Sequence, residues 1–232
     1  MGAEEDTAAG PGSGPKRRTG RRVVLLGALA LVGGAAVWGR DEIGRLWWAL
    51  PGVDRPRKEG ELDHAGAVWT AASPANWRRA DRPADYTVDR IVVHVTQGGL
   101  QGSVDAFRNP LHKASAHYIV AQDGRVVQLV RELDVAFHAN NRQVNERSVG
   151  IEHVGFVDRP QDFTPRMYAA SARLAAGICR RYGIPVDRRH FLGHSEVPGA
   201  DHTDPGPHWD WDRYLELVRR ALAEPSPGAS AR

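Results

Sequence analysis

The sequence of 232 residues predicts an α/β domain built on a mixed central β-sheet flanked by helices. Three observations carry that expectation. Short β-rich apolar runs alternate with stretches of helical periodicity, two of the runs meet at an Asp-Gly pair as a hairpin does, and no internal repeat is present. Strand–helix alternation favours parallel neighbours, while a hairpin supplies an antiparallel pair, so a sheet containing both is mixed. At 41% hydrophobic and 25% charged residues the composition suits one well-buried domain with extensions.

The extensions come first. Residues 1–22 are a polar, basic leader ending in "KRRTGRR", and residues 23–38 form an uncharged apolar run of roughly sixteen residues, a little short of a usual membrane span. This pattern reads as an export signal or a membrane anchor. Arg21-Arg22 abutting the apolar run resembles a twin-arginine signal, whereas the alternative is an ordinary signal-anchor with its positive residues on the cytoplasmic side. Residues 39–63, charged and broken by Pro51 and Pro56, read as a tether. The folded unit is expected over 64–224, and 225–232 as a frayed tail.

Within the unit, "DRIVVHVTQGG" (89–99) reads as a buried strand with His94 near its C-terminal end, stopped by a Gly pair. A short helix is expected around Ser103–Arg108. "AHYIVAQDGRVVQLV" (116–130) is the hairpin, turning at Asp123-Gly124. "SVGIEHVG" (148–155) is a further apolar strand, interrupted by Glu152. In "FTPRMYAASARLAAGICRRYGIP" Thr164 can cap, Pro165 fits the first turn, Gly183 stops the helix, and Met167, Leu174, Ile178 and Tyr182 share a face. Cys179, the only cysteine, lies beside that face as a small core residue; alone it excludes an intramolecular disulfide and any zinc site needing several thiolates. "RRHFLGH" is a last strand, and "WDWDRYLELVRRALA" a closing helix.

The chemistry gathers at strand ends and in one loop. A carboxylate on a buried strand is costly unless paired or metal-bound, which singles out Glu152. The Pro/Gly-rich segment 192–211 holds His194, His202, Asp204 and His208. His94, His194 and an aspartate of that loop form a His₂-carboxylate set of the kind that holds Zn²⁺ with a fourth position open to water. Other motifs fail. His194-Ser195-Glu196 lacks the downstream Cys-x-x-Cys of zinc deaminases, and no His-Glu-x-x-His, Gly-x-Ser-x-Gly or phosphate-binding Gly-Lys loop occurs. Lys and Arg total 31 against 28 Asp and Glu, for a net charge of +3, with much of the excess in the leader and no basic stripe interleaved with aromatics; no nucleic-acid partner is expected.

The blocks "IVVHVTQG", "SAHYIVAQDG", "AFHANN", "SVGIEHVG" and "GHSEVPGADHTDPGPHWDW" resemble, in order and spacing, the N-acetylmuramoyl-L-alanine amidase type 2 family, which is related to the peptidoglycan recognition proteins and phage lysozyme-like amidases. The resemblance runs from Trp69 to Leu222. It implies a single domain of the peptidoglycan-recognition-protein type, zinc as cofactor, and His94, His194 and Asp204 as its ligands. It implies Glu152 as catalytic acid/base, with Tyr118 the weaker alternative. His202 stands where many relatives carry a lysine, and is expected to stabilise the oxyanion. His117 and His138 resemble positions near the substrate groove, with core packing the alternative for each, and Asn140 is a candidate substrate contact. Trp209 and Trp211 are either the anchor of the last helix or a sugar platform.

The implied reaction cleaves the amide between N-acetylmuramic acid and L-alanine in peptidoglycan, by a monomer that is exported or held at the outer face of the cytoplasmic membrane through residues 23–38. The alternatives are a non-catalytic peptidoglycan-binding module of the same fold and a hydrolase of small muropeptides.

Overall fold

The computed structural model describes residues 60–224. The leader, the apolar segment, all but the end of the tether and the 225–232 tail lie outside the described residues. Among the described residues no helix is long and apolar enough to cross a membrane.

In chain order the elements are β1 (Ala67–Trp69), β2 (Trp77–Arg78), β3 (Arg90–Val95), α1 (Leu100–Arg108), β4 (Tyr118–Val120), β5 (Val126–Gln128), β6 (Val135–Ala136), α2 (Arg142–Arg147), β7 (Ser148–His153), α3 (Pro165–Tyr182), β8 (Phe191–Gly193) and α4 (Trp211–Ala223). The main sheet has the order β1-β5-β4-β7-β3-β8, and β2 and β6 form a separate antiparallel pair. β4, β7, β3 and β8 run parallel, β4 and β5 are antiparallel, and β1 is parallel to β5, so the sheet is mixed as expected. β3 reads as an unbroken apolar run because both of its faces are covered: Ile91, Val92 and Val93 have no exposed surface.

The hairpin turns at Gly124, whose φ of 90° lies in the left-handed region that glycine adopts freely. α3 begins and ends where its sequence dictates. Thr164 accepts a hydrogen bond from the Met167 amide, Pro165 occupies the first turn, and Gly183 closes the helix with φ of 69°. Met167, Leu174 and Ile178 are buried, and α3 packs on β4, β7 and α4. Cys179 is buried beside them, as expected. Trp209 is 3% exposed among Phe163, Tyr168, His153 and Tyr214, and Arg188 lies 3.6 Å over the Trp211 ring. Both tryptophans therefore anchor the closing helix, which leaves no face of Trp209 for a sugar.

The unit packs from before His64. Asp63 accepts from Arg131, from the Gln128 amide and from the Glu132 backbone N–H, and Glu61 pairs with Arg131. The end of the predicted tether is thus held against the domain by a buried guanidinium.

Candidate metal centre

The parallel register brings the chemistry to one edge. His94 on β3 lies opposite Glu152 on β7, and Val93 lies opposite Gly193 at the end of β8, so His194, the next residue, comes level with His94. Three carboxyl-terminal strand ends thus deliver two imidazoles and a carboxylate to one place, the edge where open α/β sheets place ligands. Asp204 reaches them from the following loop. Its Oδ2 lies 3.3 Å from His94 Nδ1 and accepts from the Val95 amide at 3.2 Å; its Oδ1 lies 3.3 Å from His194 Nδ1. The Ser195 amide donates to the Asp204 carbonyl at 2.9 Å, pinning the loop to the start of the turn after β8.

One donor atom from each of His94, His194 and Asp204 lies within 4.8 Å of the others, and all three residues are buried. Burial alone raises the Asp204 carboxyl, but the imidazoles of His194 and His94 beside it outweigh that and hold the group well below the usual carboxylate range. Burial pushes the His94 imidazole down, against the pull of Asp204, which favours the neutral form a ligand needs. The residues fit a zinc ion on two further counts. His194 Nε2 and Glu152 Oε2 are sealed from solvent with no hydrogen-bond partner, which is costly unless something polar faces them. Two imidazoles and one carboxylate are also the donor set of hydrolytic zinc sites with an open fourth position.

Glu152 faces this cluster. Its carboxyl is pushed up to about 8, first by burial and then by the charge of Asp204. A nearby cation opposes both pressures by stabilising the carboxylate, without undoing the burial. His202 stacks on His194 with ring centroids 4.1 Å apart and an interplanar angle of 14°, and its side chain is 54% exposed. It is therefore the one ring of the group open to an incoming molecule. Tyr118 is excluded from the site: its buried hydroxyl donates to Glu132 at 2.6 Å.

Two expected substrate contacts are corrected by the structure. His117 has no exposed surface; Nδ1 accepts from the Gly150 amide at 3.0 Å, and Nε2 meets Arg82 and the Asp134 carbonyl. His138 is also buried, its ring between His94 Nε2 and the Ser148 hydroxyl, each at 3.0 Å. Neither imidazole can reach a substrate, because protein atoms occupy its nitrogens. Asn140 is exposed, at a φ of 45° that asparagine tolerates. Ser148 was not among the residues singled out from sequence; a serine opening an apolar strand gives no signal of what its hydroxyl will meet.

The N-acetylmuramoyl-L-alanine amidase family matches residues 84–207. N-acetylmuramoyl-L-alanine amidase A of Achromobacter lyticus is 31% identical over 182 residues, covering 71% of this chain and 99% of its own. The 1,6-anhydro-N-acetylmuramyl-L-alanine amidase AmpD of Haemophilus influenzae is 27% identical over 162 residues, covering 60% of this chain and 86% of its own. Among solved structures, a selenomethionine derivative of AmpD superposes with a TM-score of 0.57 at 28% identity, over 69% of this chain and 98% of that one. The matched span contains β3, β7, β8 and the loop carrying Asp204, and so the whole cluster lies inside it: the chain belongs to the N-acetylmuramoyl-L-alanine amidase family.

Proposed function

We propose that this protein is a zinc-dependent hydrolase of the amide bond joining the lactyl group of N-acetylmuramic acid to L-alanine in peptidoglycan. The observation that carries the reading is the meeting of three buried donors, His94, His194 and Asp204, with the partnerless carboxylate oxygen of Glu152 at one sheet edge. His94, His194 and Asp204 would hold the ion. Zinc, when bound there, supplies a Lewis acid that polarises the scissile carbonyl and makes water acidic enough to attack at neutral pH. Glu152 takes the proton of the attacking water at Oε2 and later returns it to the leaving amine of L-alanine. Its burial keeps its basicity high, which suits both tasks. His202, half exposed and stacked over His194, donates an N–H to the developing oxyanion. Asn140, exposed and two residues after the buried His138, would contact the glycan or peptide.

Action outside the cytoplasmic membrane is supported by the sequence of residues 1–38, where a basic stretch precedes an apolar run, and by the location of the polymer. A second reading has its own observation: several similar proteins are named for 1,6-anhydro-N-acetylmuramyl-L-alanine, which favours small soluble muropeptides as substrates.

Digestion of purified peptidoglycan and of a 1,6-anhydromuropeptide with the full-length chain, with and without chelator, separates these readings by mass analysis. New L-alanine amino termini from the intact polymer, lost with chelator, are expected. Cleavage of the small substrate alone would favour the second reading. Glycan fragments or cuts within the stem peptide would overturn the bond assignment. Less than about half an equivalent of zinc per chain, with tight muropeptide binding, would make the protein a binding module.

A further inference from the structure

Behind His94 lies a chain of polar atoms that the proposed reaction does not use. His94 Nε2 lies 3.0 Å from His138 Nδ1, His138 Nε2 lies 3.0 Å from Ser148 Oγ, and Ser148 Oγ lies 2.5 Å from the Val144 carbonyl. All three side chains are buried. Proton positions follow from the far end. A carbonyl only accepts, so the single hydroxyl proton of Ser148 goes to Val144. Ser148 Oγ must then accept from His138 Nε2–H. With its one proton on Nε2, the His138 ring presents a lone pair at Nδ1, which accepts from His94 Nε2–H. His94 is left with its lone pair on Nδ1, the atom that faces Asp204 at 3.3 Å.

The surroundings hold this arrangement in place. The backbone amides of His138 and Ala139 both donate to Asn145 Oδ1, at 3.1 and 2.8 Å. The His138 ring lies over β7 at Gly150, where an added Cβ would come within 2.5 Å of His138 Cγ. Arg82 donates to the Ser148 carbonyl at 2.7 Å, fixing the start of β7 that carries the hydroxyl. Val144 belongs to α2, so the orientation of a strand-end ligand is referred through two side chains to the backbone of a helix.

From this geometry we infer that His138 and Ser148 are positioning residues, a relay from the Val144 carbonyl that sets the tautomer of His94 and aims its Nδ1 lone pair at the metal. The inference rests on the zinc reading above. Ligating histidines whose second nitrogen is held by a hydrogen bond bind metal more tightly, and loss of that partner typically weakens affinity 10–100-fold.

The test has two readouts on the full-length chain. Long-range ¹H–¹⁵N correlation spectra of the metal-free protein report which nitrogen of His94 carries the proton; Nε2–H is expected in the wild type, and a mixture of tautomers in Ser148→Ala. Zinc affinity measured by competition with a fluorescent chelator is expected to fall about tenfold in Ser148→Ala and up to about 100-fold in His138→Phe, which keeps the ring shape without an acceptor. Ser148→Thr, which keeps the hydroxyl, should stay close to wild type. A merely structural Ser148 would lower thermal stability without moving the tautomer. His94 protonated at Nδ1 in the wild type, or Ser148→Ala binding zinc within about twofold of wild type, would overturn the relay, and these decide the matter even if His138→Phe does not fold. Wild-type protein that binds no zinc would sink the zinc reading instead, while the wild-type tautomer still judges the relay.

Discussion

A carboxyl pushed up to about 8 in the metal-free chain is the most informative single group at the site, because burial, the larger cause, makes a better base of any Glu152 that a neighbouring cation forces to ionise. Glu152→Gln keeps the shape and removes the proton carrier. It should lower kcat by about 10²-fold or more while zinc content stays at one equivalent, as turnover and metal analysis of the same sample would show. Retained turnover within about tenfold would move the acid/base role elsewhere. His202 tests differently, since its exposed ring stacks on His194 and comes no nearer to Asp204 Oδ1 than 3.7 Å. His202→Ala should reduce kcat by about 10²-fold with KM little changed; a loss within about twofold ends its part in oxyanion stabilisation. At this scale the sequence told more about donors than about directions. His94 and His194 were legible because strand ends limit where they can point, whereas Asp204 was picked out among the aspartates of its loop by the family resemblance. His117 and His138 were not, because nothing local records that Arg82 and Ser148 wait on the far side of each ring.

At the scale of elements, legibility tracked length and capping. α3 and β3 were readable since a long period and a clear stop leave one solution. β1, β2 and β6 span two or three residues and exist only through pairing with distant partners, so no local pattern marks them. α2 is a short helix whose cap, Asn141 accepting from the Val144 amide, lies in a stretch without apolar periodicity. Caps also carry measurable energy. Thr164→Ala removes both the Met167 cap and a hydroxyl bond to the Gln122 carbonyl, and should cost about 1 kcal/mol in chemical denaturation, with Thr164→Ser close to wild type. A loss under a few tenths would mean that water replaces the cap. His153 joins three elements: Nδ1 to the His94 carbonyl on β3 at 2.9 Å and Nε2 to Ser171 on α3 at 2.7 Å, from the end of β7. Burial pushes its imidazole down to about 3 from an ordinary 6.5. The folded state therefore binds fewer protons than the unfolded state between these values, and stability present above pH 6.5 is lost as pH falls toward 3. Denaturation of chelator-treated protein at several acid pH values should show this loss, and His153→Gln should flatten the slope by up to about 1.4 kcal/mol per pH unit. An unchanged slope would mean that His153 is already charged in the fold.

For the molecule as a whole, the three donors matter because of what they connect. His94 lies near the end of β3, an interior strand, His194 follows the edge strand β8, and Asp204 lies on the loop leading to α4, so the chain brings them together only when folded. An ion held by all three binds the native state and has no comparable site in the unfolded one. Mass action then stabilises the fold by about 2.7 kcal/mol when free zinc is a hundredfold above its Kd. For a domain of this size each kcal/mol moves Tm by roughly 2–4 °C, so chelation should lower Tm by about 5–10 °C. Asp204→Ala should abolish the difference between zinc-loaded and chelated samples, since it removes the ligand that reaches across from the loop. Glu152→Gln should preserve it, because Glu152 faces the cluster without belonging to it. That contrast separates holding the metal from using it. A Tm indifferent to chelator in the wild type would mean that the donor cluster stands complete without an ion, and the packing of Asp204 against the two imidazoles would then be its whole purpose.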